Sequence, residues 1–552
     1  MQSSQLSTCD LVHPAFDKIV KIHNQDKAGK RVYDGPAMGT LICTPDMEKV
    51  RSGMSKTTKA VKYISLLLGL AFGQTAILLP AQAQNSKFTA SSARGDIPVF
   101  AENYDGAEFC ASGTIDAPCD VAPVDVPEFD ASFVYRFLAY HAQRPFDRFS
   151  WQGFTALMTP LDKPDQPALW ESFPTRRDLF SEVPYPNPTC ADDLPEGTLL
   201  LASYLQTTGD ALVDQAGNFV LFETRINPVA ARYIQDNDLD QKTGRAAFAK
   251  SGNAIEFPKG KLFDPASTTL ARVEPAKVGQ PADAKDSVIP PSAPGDMGAQ
   301  LLKFAWRVLP DGANAVSPSG QGYYTRPARI SLGMDQTLDG KPQCLDVTVA
   351  LVGLHLVQRV ASGNGDRWIW SSFEHVNNVP LAANARRPNS IITDNPFADG
   401  CLAPDIQEDD QAYAFYGHQT QKGMAANQPT RGNVKWADQQ PFARMASGEP
   451  VKGPDIVRCW RLFSGTAEAN FIWQRKLEGT VWQNYMLLGT QWIGNPGGAT
   501  FGVGEVPRYL TNSTLESFMQ DQADATCLGC HTRARTDSGQ VSNFTFLLDP
   551  PS

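Results

Sequence analysis

Cys527-Leu528-Gly529-Cys530-His531 is the stretch of this 552-residue chain whose residue types and spacing specify a chemistry. Two thiols three positions apart can bond the two vinyl groups of one porphyrin, and the imidazole beside the second thiol then falls under the iron as proximal ligand. The pattern predicts one covalent haem c on Cys527 and Cys530, with His531 bound to the iron. Two other chemistries use such a pair. A redox dithiol should open a helix after a strand in a βαβ unit, but Cys530 lies 22 residues from the end with no such unit around it. A zinc site needs a second ligand pair nearby, and none follows.

The sixth iron position is less determined. No Met or His follows His531, so a distal ligand of those types must come from upstream, and otherwise the iron is open or holds water. Met486, Met519 and His375 are the candidates. Each also has a plain packing role: Met486 in a core strand, Met519 on a helix face, and His375 at a strand end, where it and Asn377 satisfy loop backbone groups. His141 falls on a helix face and is read as packed there. Glu374 and His375 are adjacent, so on a strand they point to opposite faces and cannot form one acid–base pair.

These residues need elements to hold them. Ser513-Thr514-Leu515-Glu516 has capping-box spacing, and Leu515, Phe518 and Met519 follow on one face, which predicts a helix of about 12 residues running into Cys527. Asn543–Leu548 alternates like a final strand. A haem attachment segment over 511–552 is therefore a short cap, too small to wrap a porphyrin, whose walls must come from residues before 510.

Upstream, 84–273 reads as an α+β region. An irregular arm over 84–130 leads to a helix over 131–143, then the helical run Trp151, Phe154, Leu157, then strands within 198–227 around a turn at 215–218, then a helix opening at Pro228. Asp236, Asp238 and Asp240 mimic a calcium loop, but Gln241 and Ala247 replace the Gly and Glu it requires, so an EF-hand is rejected. Residues 274–300, rich in Pro, Ala and Asp, read as a linker or long loop. Residues 301–510 are β-rich, with LDVTVALVGLHLVQRV as a central strand and RWIWSSFEHV presenting Trp368, Trp370 and Ser372 on one side. The fold class is α+β and β-rich: one large domain or two packed ones, with a short C-terminal helical haem-binding cap. The 43 Gly and 41 Pro, about 15% of the chain, fit many short elements joined by turns.

The residues from Met54 to Ala83 have the order of an export signal: Lys56, Lys59 and Lys62, an apolar run from Tyr63 to Leu79, and an Ala81-Gln82-Ala83 cleavage site. Cleavage would leave Gln84 first, in the periplasm, with no stable membrane span remaining. Residues 1–53 are read as a leader that is not translated, the start being Met54. Export makes disulfides the expectation for Cys110, Cys119, Cys190, Cys344, Cys401 and Cys459, with Cys110 to Cys119 the shortest loop and the connectivity otherwise open. After residue 83 there are 39 Lys and Arg against 53 Asp and Glu, and so acidic a surface repels nucleic acid and anionic lipid.

The series WQGFTALM, DQAGNFVLFETRIN, LKFAWRVL, LVGLHLVQRV, RWIWSSFEHVNN, YMLLGTQW and TLESFMQ…CLGCH resembles large exported bacterial proteins of the cytochrome c family, over most of residues 130–552. That resemblance implies no substrate and a role only for Cys527, Cys530 and His531. The tail is also similar, over about 25 residues, to cytochrome P460 and the β-type cytochromes c′, which implies a sheet around a haem with an accessible site. The expected function is one-electron transfer with a redox partner protein. The alternatives are a haem enzyme or gas-binding protein with an open iron, and a binding module in which haem is structural.

Overall fold

The run Gln343–Val360 changes pattern halfway. Its first six residues alternate between part-buried and exposed, and its last twelve are all buried. Alternation marks a strand with one wet face, and continuous burial marks one covered on both faces. The computed structural model describes residues 121–126, 139–261, 270–272, 297–361, 367–388, 397–406, 412–492, 507–522 and 525–549, plus one pair of two-residue strands near the start. There this run is the central strand. Seven strands make the main sheet: β1 (Leu199–Leu201), β2 (Val220–Ile226), β3 (Gln300–Val308), β4 (Thr325–Leu332), β5 (Gln343–Val360), β6 (Arg367–His375) and β7 (Tyr485–Gln491). The path runs β7-β6-β5-β3-β2 and is antiparallel throughout. Along one edge of β5, β4 pairs with 343–350 and β6 with 353–360, and β1 adds to β4 in parallel.

The architecture is α+β and β-rich. Because β2 pairs with β3, strands from before and after the 274–300 segment share one sheet and one core. Among the described residues the helices of five residues or more are α1 (Ala139–Leu157), α2 (Pro228–Asp236, with Pro at its first turn), α3 (Lys242–Ser251), α4 (Ser464–Lys476) and α5 (Cys527–His531), besides a single turn at Arg176–Leu179. The two helical runs of the sequence reading are one helix, α1, from Ala139; its proposed first part, 131–138, lies outside the described residues. The side chain of His141 is also outside them, as are residues 54–83, Cys110, Cys119 and most of 84–130 and 274–300. Two units divide at residue 87; in the first, the described strands Asp10–Leu11 and Val20–Lys21 pair antiparallel. No helix among the described residues is long and apolar enough to cross a membrane.

Helices α1 and α4 cover one face of β6 and β7 through packed aromatic rings, with Trp151 edge-on to Phe373 at 5.1 Å and stacked on Trp473 at 5.9 Å. Asp147 is a carboxyl buried in that layer. Asp147 accepts hydrogen bonds from Gln143 (2.9 Å), Thr466 (2.6 Å) and Thr490 (2.9 Å), so it ties α1 to α4 and β7. Burial, only partly offset by those bonds, pushes it up to about 6. A carboxyl raised on folding favours the native state while it is protonated and costs stability as pH rises through the folded value. Wild type is therefore expected to lose about 1–2 kcal/mol between pH 5 and pH 8 relative to Asp147→Asn, whose side chain does not titrate. Urea midpoints at several pH values check this; parallel curves for the two proteins would sink it.

Two disulfides, Cys190–Cys344 and Cys401–Cys459, bear out the expectation of cross-links for four of the six cysteines. They span 154 and 58 residues, for which loop-closure entropy gives upper limits of about 5 and about 4 kcal/mol.

Candidate functional site

The second face of β6 and β7 carries the CxxCH segment. Side chains alternate along β6: Ser371 bonds Ser150 of α1, whereas Ser372 bonds Asn512 of the C-terminal segment. Glu374 lies with Ser372 and His375 with Ser371, as expected for adjacent strand residues. Glu374 is fully buried; it accepts from Arg458 Nε (2.9 Å), Ser513 N (3.0 Å) and Ser513 Oγ (2.6 Å). Asn512 donates to the Phe373 carbonyl, and Gly353 of β5 lies so close below that a Cβ there would meet Thr514 Oγ1 at 2.2 Å.

The helix expected from Ser513 into Cys527 does not form, and a helical cap is not seen. The segment 513–522 is a chain of turns. The reason is tertiary: Ser513 is held by Glu374, the Thr514 carbonyl and Ser517 N by Gln206, and Gln520 by the backbone of Val457 and Cys459. These bonds compete with helical ones and win. The cap is displaced by one residue, since Asn512 Oδ1 accepts from Thr514 N while Glu516 Oε2 accepts from Asn512 N. The final strand is also absent: Phe546–Leu548 is a single 3-10 turn.

Replacing Glu374 by Ala would leave the Arg458 guanidinium buried without its carboxylate. Breaking one side of a buried pair costs about 3–5 kcal/mol, and here the segment leading to Cys527 loses its anchor as well. A melting transition unchanged from wild type would contradict this.

Helix α5 is five residues long, with Thr526 at its start making no side-chain cap bond. Gln491 of β7 supplies that cap, accepting from Leu528 N (3.1 Å). Cys527 and Cys530 are three residues apart on one side of the helix. Cys527 packs against the Met486, Leu488 and Leu510 cluster, and burial together with the charge of Glu516 raises its thiol well above the ordinary value. A redox dithiol needs a thiol lowered in pKa, so this environment argues against one. Among the described residues no group of three or more His, Cys, Asp or Glu converges to hold a bare metal ion.

His531 is oriented by backbone. Its Nδ1 lies 2.8 Å from the Phe544 carbonyl, which can only accept, so Nδ1 carries the proton and Nε2 keeps its lone pair. That carbonyl is presented by two non-glycine residues with left-handed backbone, Asn543 (φ 52°) and Phe544 (φ 67°). Such a conformation in Phe is held by its surroundings: Asn543 Oδ1 accepts from Trp368 Nε1 (3.1 Å) and from Arg359. The His531 ring lies 4.1 Å from Trp370 and 5.0 Å from Phe546, and burial lowers its basicity to about 4. A neutral imidazole with one nitrogen bonded and the other open is the form that binds a metal.

Of the distal candidates, Met486 shares its apolar cluster with Cys527. Met519 is part-exposed in the turn chain, its carbonyl accepting from Gln522 N. His375 points to the other face; its Nε2 is 3.3 Å from the Gly322 carbonyl, its Nδ1 accepts from Asn377 N, and burial lowers it to about 3. It therefore serves the loop, as the packing reading has it.

One residue of this site was missed in the sequence. His355 of β5 pairs across to Ser372 and Lys303, on the face that carries the motif, and its Nε2 lies 2.9 Å from Glu516 Oε1. It sits in the apolar run LVGLHLVQRV, where only its polarity marks it. Glu516 is held below the usual carboxylate range, burial being outweighed by the charge of and hydrogen bond to His355. No family model, curated protein or solved structure matches the chain.

Proposed function

We propose that this chain is an exported, periplasmic cytochrome with one haem c, bound covalently through Cys527 and Cys530 and axially through His531, and that it passes single electrons to a redox partner protein. The observation that carries the reading is the His531 ring: its Nδ1 proton is engaged by the Phe544 carbonyl, and its Nε2 is left open on a helix that also bears both thiols. When bound, the haem would supply an iron that alternates between ferrous and ferric states. The chain's own residues do the positioning. Trp370 and Phe546 fix the ring's tilt, Gln491 fixes the start of α5, and the Glu374 lock fixes the segment before it.

Met486, Leu488 and Leu510 offer an apolar surface beside Cys527, which suits a porphyrin face and lowers the local dielectric around the iron. The test is mass spectrometry of protein made with haem-attachment machinery and an intact export signal. Its mass should equal the chain from Gln84 plus one haem, and it should be recovered from the periplasm. A polypeptide mass without haem would overturn the reading.

A further inference from the structure

His355 carries a buried nitrogen that nothing among the described residues satisfies. The residue is 6% exposed, its Nε2 is engaged by Glu516, and Nδ1 has no hydrogen-bond partner. Leaving such an atom unpaired costs about 1–3 kcal/mol. The partner on the other nitrogen fixes which atom is bare. An ionised carboxylate only accepts, so Nε2 carries the proton in the neutral ring, and Nδ1 presents a lone pair. Glu516 is itself pinned, because its second oxygen accepts from Asn512 N at 3.0 Å. A carboxylate holding one imidazole nitrogen so that the other can bind metal is the recurrent support for a histidine ligand.

The sheet register places this lone pair beside the motif. Trp370, against which the His531 ring rests, pairs with Val357, and Ser372 pairs with His355. His355 and Val357 are therefore successive residues of one face, about 6.6 Å apart along β5. Val357 belongs to the same apolar cluster as Leu528 of α5. Met486, the other nearby donor, offers a weak thioether in an apolar cluster; its burial is already accounted for by packing.

We propose that His355 is the second axial ligand of the haem iron, bound through Nδ1 and held in place by Glu516. This rests on the haem reading above and goes further by naming the sixth ligand, one that closes the iron to small molecules and so favours electron transfer over gas binding. Holoprotein is expected to be low-spin in both oxidation states, to give the near-infrared magnetic circular dichroism of a bis-histidine haem, and not to bind carbon monoxide. His355→Ala should become high-spin and bind carbon monoxide, and free imidazole should restore the low-spin spectrum. Glu516→Gln should stay low-spin, with a higher midpoint potential because the amide no longer enriches the ring. A high-spin wild type, a His–Met signature, or a His355→Ala protein that stays low-spin without imidazole would each overturn the assignment. Haem staining on a denaturing gel separates this failure from the other: a stained band with the wrong spin state removes His355 alone, and no band removes the haem reading itself.

Discussion

Replacing Cys527 and Cys530 together by Ala is expected to abolish the haem-stained band on a denaturing gel, whereas His531→Ala is expected to keep it. The two results differ because the thiols make bonds that survive denaturation and the imidazole makes a coordinate bond that does not. Either cysteine alone leaves one thioether, so each single variant should stain, more weakly if attachment is inefficient. Loss of the band should not come from loss of the fold. Both cysteines lie outside the two disulfides, and removing each sulfur costs at most about 1–2 kcal/mol of packing. Circular dichroism of the double variant should therefore show a wild-type β-rich spectrum with a modestly lower melting point. A stained band from the double variant, with haem covalently retained, would contradict the assignment of these residues.

The strands were legible because their sequence carries the period. LDVTVALVGLHLVQRV alternates where β5 has a wet face and turns continuously apolar where both faces are covered. RWIWSSFEHV puts Trp368 and Trp370 in one cluster on the side of the motif, as its alternation implies. Local signals failed where long-range polar bonds set the backbone. Ser513 to Glu516 has the spacing of a capping box, but Ser513 is bonded to Glu374, 139 positions away, and Gln206 takes Thr514 and Ser517 from more than 300 positions away. No window of sequence contains those partners. Asn543-Phe544 alternates like a strand, yet its left-handed backbone is fixed by Trp368 and Arg359.

The site followed the same division. The CxxCH residues could be named as candidates from spacing alone because the haem attachment proposed for them acts over five consecutive positions. The Phe544 carbonyl that orients His531 could not, because backbone atoms leave no mark in a sequence. His355 was hidden for another reason: a histidine in a long apolar strand reads as a packed core residue, and its distinguishing property, one nitrogen bonded and one bare, exists only after Glu516 arrives from 161 positions away.

A fragment beginning near residue 500 is expected to be unfolded or aggregated, with a haem spectrum unlike that of the full protein. Its described part is one five-residue helix, a 3-10 turn and a series of turns, and a chain of about 50 residues falls below the roughly 70–80 at which a single core supplies enough burial without staples. Its polar atoms are matched to groups the fragment lacks. Ser513 needs Glu374, Leu528 N needs Gln491, and Asp537 needs Arg245, whose guanidinium it meets at 3.0 and 2.9 Å. Asn543 needs Trp368 to hold the turn that aims the Phe544 carbonyl at His531. Apolar contact is lost too, since Leu528, Leu547 and Leu548 pack among Trp368, Trp370 and Val357 of the sheet, and burial at about 25 cal/mol per Å² is the main term ordering them. Haem can still attach, because attachment needs only the five motif residues in an extended chain. Without β5, however, the fragment also lacks His355, so its iron should be high-spin and open to carbon monoxide. If the isolated fragment gave a cooperative unfolding transition and the low-spin spectrum of the full protein, the segment would be an autonomous cytochrome domain, and neither the sheet nor His355 would be part of its haem pocket.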